Sequence, residues 1–172
     1  MAGSLVKIAE TTVTSSQASV TLTGINSTYD VYMLKMNNIT IDTDNKTIFL
    51  RVTTSGAADS DSEYDRAHYV FRTSTSFAEV NSINQTSWAY NTVGTAAGEI
   101  GNAIMYLFNF NNSSEYSFYT LESAEITSSA ELQGIAGGGV HTVAEANDGI
   151  HIFVEDSANI DAGVFTLFGF KK

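Results

Sequence analysis

The chain of 172 residues contains no cysteine and no proline. Without cysteine it can form no disulfide, no thiolate nucleophile and no cysteine-ligated zinc or iron–sulfur site. Ordinary chains contain about 5% proline, so its absence argues against proline-rich linkers and leaves the turns to Gly, Asn, Asp and Ser. The fold must therefore be stabilised by packing, within the chain or between chains.

Basic residues are also few, since eight Lys and Arg stand against 19 Asp and Glu and give a formal net charge of −11. Lys171 and Lys172 form the only adjacent basic pair. Nucleic-acid binders neutralise phosphates with clustered Lys and Arg, so we predict no nucleic-acid partner. An acidic surface favours solubility and suits a basic partner, but it identifies none.

Long apolar runs are missing too. No run approaches the roughly 18 to 20 apolar residues of a membrane-spanning helix, and the opening MAGSLVKIAE lacks the apolar core of a secretory signal. We therefore predict synthesis in the cytoplasm and no membrane partner. With 43% hydrophobic residues, residues 1–172 are predicted to form one domain with a substantial core. Residues 1–7 are predicted to form a short arm, with a frayed terminus as the alternative.

What the sequence does contain is a succession of short apolar runs separated by turn residues, which is typical of an all-β fold. The clearest is 101–123, where alternating apolar side chains on both sides of a polar NNSS turn predict an antiparallel hairpin. Both faces of its first strand are apolar, as are both faces of 163–170. We expect such strands to be central in a sheet or at a subunit contact. Along the first strand of the hairpin, alternation places Ile104, Tyr106, Phe108 and Phe110 on one face and Met105 and Leu107 on the other.

These runs predict an all-β fold, an antiparallel two-sheet jelly-roll sandwich, because it brings two apolar faces together and limits exposed edges. The segment 73–98 is the least regular part of the pattern. Trp88 and Tyr90 fit a short strand there, and 77–83 is compatible with a short helix. A strand is predicted at 130–135, and the glycines at 137–139 are interpreted as a flexible loop that follows it.

The strongest group of candidate metal ligands lies in one acidic loop, and Asp42 and Asp44 form a weaker pair. The carboxylates of the loop occupy alternate positions, as in a calcium loop: Asp59, Asp61, Glu63 and Asp65. Tyr64, however, stands where an EF-hand has its turn glycine, and Val70 stands where it has its bidentate acid. The favoured interpretation is a solvated loop that keeps a β edge soluble. We therefore predict no cofactor and no metal, with these four residues as a weak calcium candidate.

Signals for catalysis are absent from the sequence. The histidines at 68, 141 and 151 form no pair at the spacing of a helical zinc site. There is no GxSxG elbow, P-loop or GxGxxG turn, and no pair of carboxylates stands among aromatic residues as in a glycosidase. We expect no catalytic residues and no enzymatic activity, and the alternative that stays open is a glycan depolymerase, which would need paired carboxylates at catalytic separation. Some aromatic residues fit either a core or a sugar-stacking role: Trp88, Tyr90, Tyr116 and Tyr119.

Five segments together carry a family resemblance: STYDVYMLKMNNI at 27–39, TIFLRVTTSG at 47–56, EYDRAHY at 63–69, IMYLFNFNNSSEYSF at 104–118 and AGVFTLFGF at 162–170. The succession resembles a β-sandwich module of tailed-phage virion proteins across nearly the whole chain. The similarity lies in the YDVYML strand, the LR..TSG strand and loop, the YLFN hairpin and the G.F.L.G. ending. These motifs are structural and carry no catalytic residue.

The resemblance implies a virion structural protein on the capsid surface, made in the host cytoplasm. As a decoration or cement protein it would stabilise the shell through contacts with the major capsid protein, as a homotrimer. The alternative that the resemblance leaves open is a tail-fibre or receptor-binding module that recognises a host glycan. The interface candidates are apolar residues near the two ends of the chain: Leu5, Val6, Phe168 and Phe170.

Overall fold

A computed structural model of the chain describes residues 4–74 and 77–171. Strands account for 66% of the structure, so the all-β prediction is confirmed. Over the described ranges there is no α-helix, and hence none long and apolar enough to cross a membrane. A 3₁₀ turn lies at Glu155–Ser157.

The strands in chain order are β1 (Leu5–Val13), β2 (Ser19–Thr23), β3 (Val31–Ile41), β4 (Lys46–Thr54), β5 (Ala57–Ala58), β6 (Tyr64–Arg72), β7 (Ala78–Gln85), β8 (Trp88–Val93), β9 (Gly101–Phe108), β10 (Tyr116–Ile126), β11 (Leu132–Ala144), β12 (Gly149–Val154) and β13 (Ile160–Phe170).

The strands form two antiparallel sheets that pack together, as the sandwich prediction requires. The large sheet has eight strands in the order β1-β13-β3-β9-β10-β11-β6-β7. The small sheet runs β2-β12-β4, and the other edge of β4 pairs with β5 and with β8. The predicted antiparallel two-sheet sandwich is therefore confirmed.

The pairing of strands from opposite ends of the chain gives the sandwich its jelly-roll connectivity. Strand β1 pairs with β13, β2 with β12, β3 with β9 and β4 with β8. Rolling up such a long double ribbon produces the eight-stranded jelly roll. The remaining strands, β5 to β7 and β10 to β11, are insertions, and most of them extend the large sheet beyond β9. The large sheet therefore has an unusually broad outer face.

The core lies between the sheets and follows from the alternation of side chains along each strand. Met105 and Leu107 from the large sheet and Leu50 and Ile152 from the small sheet are all fully buried. Each such side chain contributes roughly 1.5–3 kcal/mol through removal from water. Trp88 lies among them at 1% exposure, and its ring contacts Tyr64 and Tyr119 at centroid distances of 5.1 and 4.7 Å.

The predicted hairpin is present as β9 and β10, with Tyr106 opposite Thr120. Both β9 and the C-terminal strand β13 are interior strands of the large sheet, as their two apolar faces indicated. The predicted face is wrong for Phe110, which is 1% exposed and lies in the core. Asn109 adopts a left-handed φ of 62°, which ends the extended alternation and turns the next side chain inward.

Two local predictions in the insertions are wrong. The segment 77–83 is not helical, because β7 covers most of it and pairs antiparallel with β6. The glycines at 137–139 do not form a flexible loop, since they lie within β11 and pair with both β10 and β6. Close approach explains them: a Cβ on Gly137 would stand 2.3 Å from the carbonyl oxygen of Ala67.

The predicted N-terminal arm at 1–7 falls partly outside the description, because residues 1–3 are not among the described residues. Residues 5–7 belong to β1, where Leu5 pairs with Phe170 and Lys7 with Phe168. The described part of the arm is therefore a paired edge strand of the large sheet.

Candidate functional site

The outer face of the large sheet carries a band of apolar side chains across five adjacent strands. Phe168 lies opposite Met33, Met33 opposite Tyr106, and Phe108 opposite Phe118. Residues paired in this way point to the same side of a sheet. We call the set the apolar belt: Leu5, Val31, Met33, Tyr106, Phe108, Phe118, Phe168 and Phe170.

Several belt side chains are open to solvent. Leu5 is 47%, Phe118 43% and Tyr106 37% exposed, and the ring of Tyr106 packs 5.8 Å from that of Phe170. Single exposed apolar residues are ordinary, whereas a contiguous patch with a polar rim is typical of an interaction surface.

Charged side chains form part of the rim of the belt. Lys7 pairs with Phe168, and both Lys35 and Glu122 lie opposite the exposed Ile104. The edge of the belt is therefore wet and polar while its centre is apolar, which is the anatomy of a protein–protein interface.

Three of the four predicted interface candidates, Leu5, Phe168 and Phe170, lie on this belt. Val6 does not. It pairs with the buried Gly169 and follows Leu5 in β1, so alternation directs its side chain to the inner side of the sheet. Val6 lies outside the belt because successive side chains of a strand point to opposite faces, and its place at an interface stays a prediction.

The aromatic residues considered for sugar stacking are mostly unavailable. Trp88, Tyr90 and Tyr119 are only 1–2% exposed, whereas Tyr116 is 46% exposed. The indole N–H of Trp88 donates to the carbonyl oxygen of Val140 at 3.2 Å. These three rings therefore have a core role.

A second feature is a cluster of histidine and carboxylate groups where the acidic loop meets β11. Asp59, Glu63 and His141 each offer one ligand atom, and these atoms all lie within 4.8 Å of one another. Nε2 of His141 is 3.0 Å from Oδ2 of Asp59 and 3.3 Å from Oε2 of Glu63. We call these three residues the histidine–carboxylate cluster.

The structure brings together two of the four residues of the calcium candidate and separates the others. Asp65 lies at the start of β6, where its Oδ1 accepts a hydrogen bond from the backbone N–H of Asn84 at 2.7 Å. Asp61 is exposed and does not belong to the cluster. The four carboxylates therefore do not converge as an oxygen-only calcium loop requires.

Local hydrogen bonds hold Asp59 in place. Its backbone N–H donates to the carbonyl oxygen of Val52 at 3.0 Å, and its own carbonyl oxygen accepts from the hydroxyl of Tyr64 at 2.9 Å. Oδ1 of Asp59 accepts from the backbone N–H of Asp61 at 2.8 Å. The second carboxylate oxygen, Oδ2, is thereby directed to His141.

Glu63 is tied to the strand that carries the histidine. Its carbonyl oxygen accepts hydrogen bonds from the backbone N–H of Thr142 at 2.8 Å and from the Thr142 hydroxyl at 3.0 Å. Burial first, and the nearby charge of Asp59 second, raise the pKa of the Glu63 carboxyl above its usual range.

His141 is fully buried, and its ring packs 4.9 Å from that of Tyr64. Its second ring nitrogen, Nδ1, has no hydrogen-bond partner and lies 3.9 Å from Oε1 of Glu145. That carboxylate oxygen is likewise buried and without a hydrogen-bond partner. Carboxylates thus face both nitrogens of one imidazole.

His141 received no role from the sequence because its partners are remote along the chain. It stands 82 residues from Asp59, and it approaches the acidic loop because it pairs with Tyr64 across β11 and β6. A search for ligands at short spacing does not detect such a pair. The pairing of β11 with β6 would have been the necessary signal, and apolar periodicity shows which side chains share a face but not which strands are neighbours.

The other two histidines lie apart from this cluster. His68 is buried, its Nε2 lies 2.8 Å from the Tyr119 hydroxyl, and burial lowers its pKa to about 4. His151 lies on the outer side of the small sheet, where its Nδ1 is 2.8 Å from the hydroxyl of Thr21. Both have local structural roles.

No family model, curated protein or solved structure matches the chain. We therefore argue its function from two features of the described residues. The apolar belt offers a surface for a partner, and the histidine–carboxylate cluster offers nitrogen and oxygen donors for a cation.

Proposed function

We propose that this protein is a structural component of a tailed-phage particle, a decoration or cement protein that binds the assembled capsid through the apolar belt. The observation that carries the proposal is the belt itself, a band of apolar side chains across five strands in which Leu5, Tyr106 and Phe118 are exposed. Removing such a band from water contributes roughly 25 cal/mol for each Å², and this contribution must exceed the entropic cost of association.

The segments that resemble phage virion modules supply most of this belt. Val31 and Met33 come from 27–39, Tyr106, Phe108 and Phe118 from 104–118, and the last two belt phenylalanines from 162–170. The resemblance and the surface therefore depend on the same strands, which supports a link between the family and attachment to a partner.

The partner that suits this surface is a capsid face with an apolar centre and basic surroundings. The chain carries a formal charge of −11, and complementary charge steers association and excludes wrong partners. A protein that binds the assembled shell more tightly than free subunits stabilises the shell by mass action. Homotrimers at threefold positions belong to the proposal, since three linked attachments raise avidity.

A glycan-binding tail module, the alternative, draws less support from the described residues. It would need exposed aromatic rings beside polar loops, and three of the four aromatic candidates lie in the core. The proposal involves no catalytic step and no cofactor.

The belt can be tested with one charge placed on β10, beside Tyr106. Thr120 is exposed and lies opposite Tyr106, so Thr120→Arg introduces a charge without removing a core side chain. We expect capsids that lack the protein to bind this variant at least about tenfold more weakly, because a charge buried without a partner costs more than the 1.4 kcal/mol of a tenfold change. Co-sedimentation with purified capsids measures the binding.

The matched control is Thr23→Arg, since Thr23 is an exposed strand threonine of the small sheet, away from the belt. It should bind capsids as the wild type does. Equal binding by both variants and the wild type would overturn the belt as the attachment surface. Density for the protein only in the tail, in a reconstruction of the whole particle, would contradict the cement role itself.

A further inference from the structure

We propose that Asp59, Glu63 and His141 bind a divalent transition-metal ion of the zinc class, with Glu145 as a positioning residue for the imidazole. The proposal is independent of the capsid role, because the cluster is not part of the apolar belt.

The spacing of the donor atoms fits such an ion. Zinc takes nitrogen and carboxylate oxygen ligands at about 2.0–2.2 Å in tetrahedral geometry, which places neighbouring ligand atoms about 3.3 Å apart. Nε2 of His141 lies 3.0 Å from the nearer oxygen of Asp59 and 3.3 Å from that of Glu63. All three donor atoms lie within 4.8 Å of one another, so side-chain adjustment would let one ion contact them all, and a water molecule would take the fourth position.

The buried imidazole supplies an independent reason for a cation. A neutral ring carries one proton, so one of its two nitrogens presents a lone pair to a carboxylate. If the proton is on Nε2, the lone pair of Nδ1 in His141 faces Oε1 of Glu145, and two hydrogen-bond acceptors are then opposed. With the proton on Nδ1, Nε2 faces two carboxylates. A metal on Nε2 resolves both conflicts, because Nδ1–H then donates to Glu145.

That arrangement is the usual second shell of a metal-bound histidine, in which the free ring N–H donates to a carboxylate. At 3.9 Å, Nδ1 of His141 and Oε1 of Glu145 are too far apart for a hydrogen bond. Both atoms are nevertheless buried and without a hydrogen-bond partner. A shift of about 1 Å would bring them to hydrogen-bond distance.

Charge at the site also favours a cation. Three carboxylates, those of Asp59, Glu63 and Glu145, surround a single imidazole. The nitrogen donor selects the ion, since imidazole suits zinc and its neighbours, whereas calcium and magnesium prefer oxygen ligands alone.

A bound ion would join two parts of the fold. Asp59 and Glu63 flank the loop before β6, and His141 lies on β11. The hydrogen bonds from Tyr64 and Thr142 already hold the loop against its neighbours, so the ligands are positioned before the ion arrives. The ion would therefore fasten the loop before β6 to β11 in a chain that has no cysteine for a disulfide.

The test is calorimetric titration of the full chain with zinc chloride, after chelator treatment and removal of the chelator. We expect one saturable site for the wild type and a zinc affinity at least about tenfold lower for Glu63→Gln. The matched control is Asp61→Asn, which removes the same charge from the same loop but no ligand, and its affinity should stay close to that of the wild type. Nε2 of His141 should shift in nitrogen-detected NMR when zinc is added.

Glu145→Gln tests the positioning role, with an expected loss of about tenfold in zinc affinity while the Nε2 signal of His141 still responds to zinc. The absence of saturable zinc binding to the wild type would overturn the proposal. Tighter binding of calcium than of zinc, or equal losses in Asp61→Asn and Glu63→Gln, would overturn it as well. If Glu63→Gln fails to fold, an unchanged Nε2 signal in the wild type still refutes it.

Discussion

At the scale of single residues, Glu125 shows how burial changes the chemistry of an ordinary side chain. It lies on β10 and is only 2% exposed. One carboxylate oxygen accepts a hydrogen bond from Nε2 of Gln133 at 3.0 Å, and the other has no partner. The pKa of Glu125 is raised to about 7, and the cause is burial. The hydrogen bond from Gln133 and, more weakly, the charge of Arg72 lower the pKa but do not cancel the effect of burial.

We expect Glu125 to make the stability of the protein depend on pH. Its folded pKa of about 7 exceeds the reference value of 4.5, so between these values the folded state holds a proton that the unfolded state has lost. The contribution of protonated Glu125 to the free energy of unfolding is therefore complete below about pH 4.5 and is lost as the pH rises through 7. A shift of this size corresponds to about 3 kcal/mol.

Urea unfolding of the wild type and of Glu125→Gln, at pH 4.5 and pH 8, measures this effect. Because glutamine imitates the protonated acid, the wild type should lose about 3 kcal/mol relative to the variant over that range. A stability difference that stays constant with pH would contradict the prediction. Because both proteins contain the same other titrating groups, the contributions of those groups cancel in the difference. One of them is His68, whose lowered pKa destabilises the folded state at acidic pH.

At the scale of elements, β11 is a strand whose close contacts are made by glycines. Gly137 approaches β6, where an added Cβ would lie 2.3 Å from the carbonyl oxygen of Ala67 and 2.7 Å from Cα of His68. At Gly134 the nearest atom would be the carbonyl oxygen of Ser123 at 3.2 Å. The glycines therefore differ in how much space the neighbouring strands leave.

Gly137→Ala should destabilise the protein by about 2 kcal/mol, because backbone atoms must move to admit the methyl group. Gly134→Ala, the same change in the same strand, should cost less than about 1 kcal/mol, since the carbonyl oxygen of Ser123 needs to move by only a few tenths of an ångström. The added methyl group also lowers the conformational entropy of the unfolded chain, which favours the folded state. Thermal or urea unfolding of the two variants checks the order. Equal costs would show that strand spacing does not explain these glycines.

The elements that could be predicted from the sequence are those with strong local alternation. The hairpin of β9 and β10 and the interior strand β13 follow from side chains that alternate at period two. The predictions for 77–83 and 137–139 are wrong because the small and polar residues of these segments favour a loop or a helix. Both segments nevertheless form strands, since they pair with β6. Tertiary pairing overrides weak local preference.

At the scale of the whole molecule, the excess of negative charge opposes folding. A formal charge of −11 on 172 residues produces self-repulsion that is greatest in the compact state. Added salt screens it, since the Debye length falls from about 30 Å at 0.01 M to about 8 Å at 0.15 M. The exposed ion pairs, such as Lys7 with Glu10, are worth too little to reverse this effect.

The urea midpoint of the metal-free protein should therefore rise between these two sodium chloride concentrations. The two titrations differ in nothing else, and urea itself is uncharged. A midpoint that falls with salt would mean that attractive ion pairs outweigh the repulsion. The same screening should weaken attachment to a basic capsid surface, because steering by opposite charge declines with ionic strength.

Local alternation was enough to predict the all-β class, the two-sheet sandwich and the strands with two apolar faces, because it is a property of neighbouring residues in the chain. Which of the two apolar faces is exposed depends on the packing of the sheets: Met105 lies in the core, whereas Tyr106 is 37% exposed. The contact of His141 with Asp59, 82 residues away in the chain, likewise depends on the fold. Both outcomes follow from the order in which strands pair, which is a long-range property that local alternation does not specify.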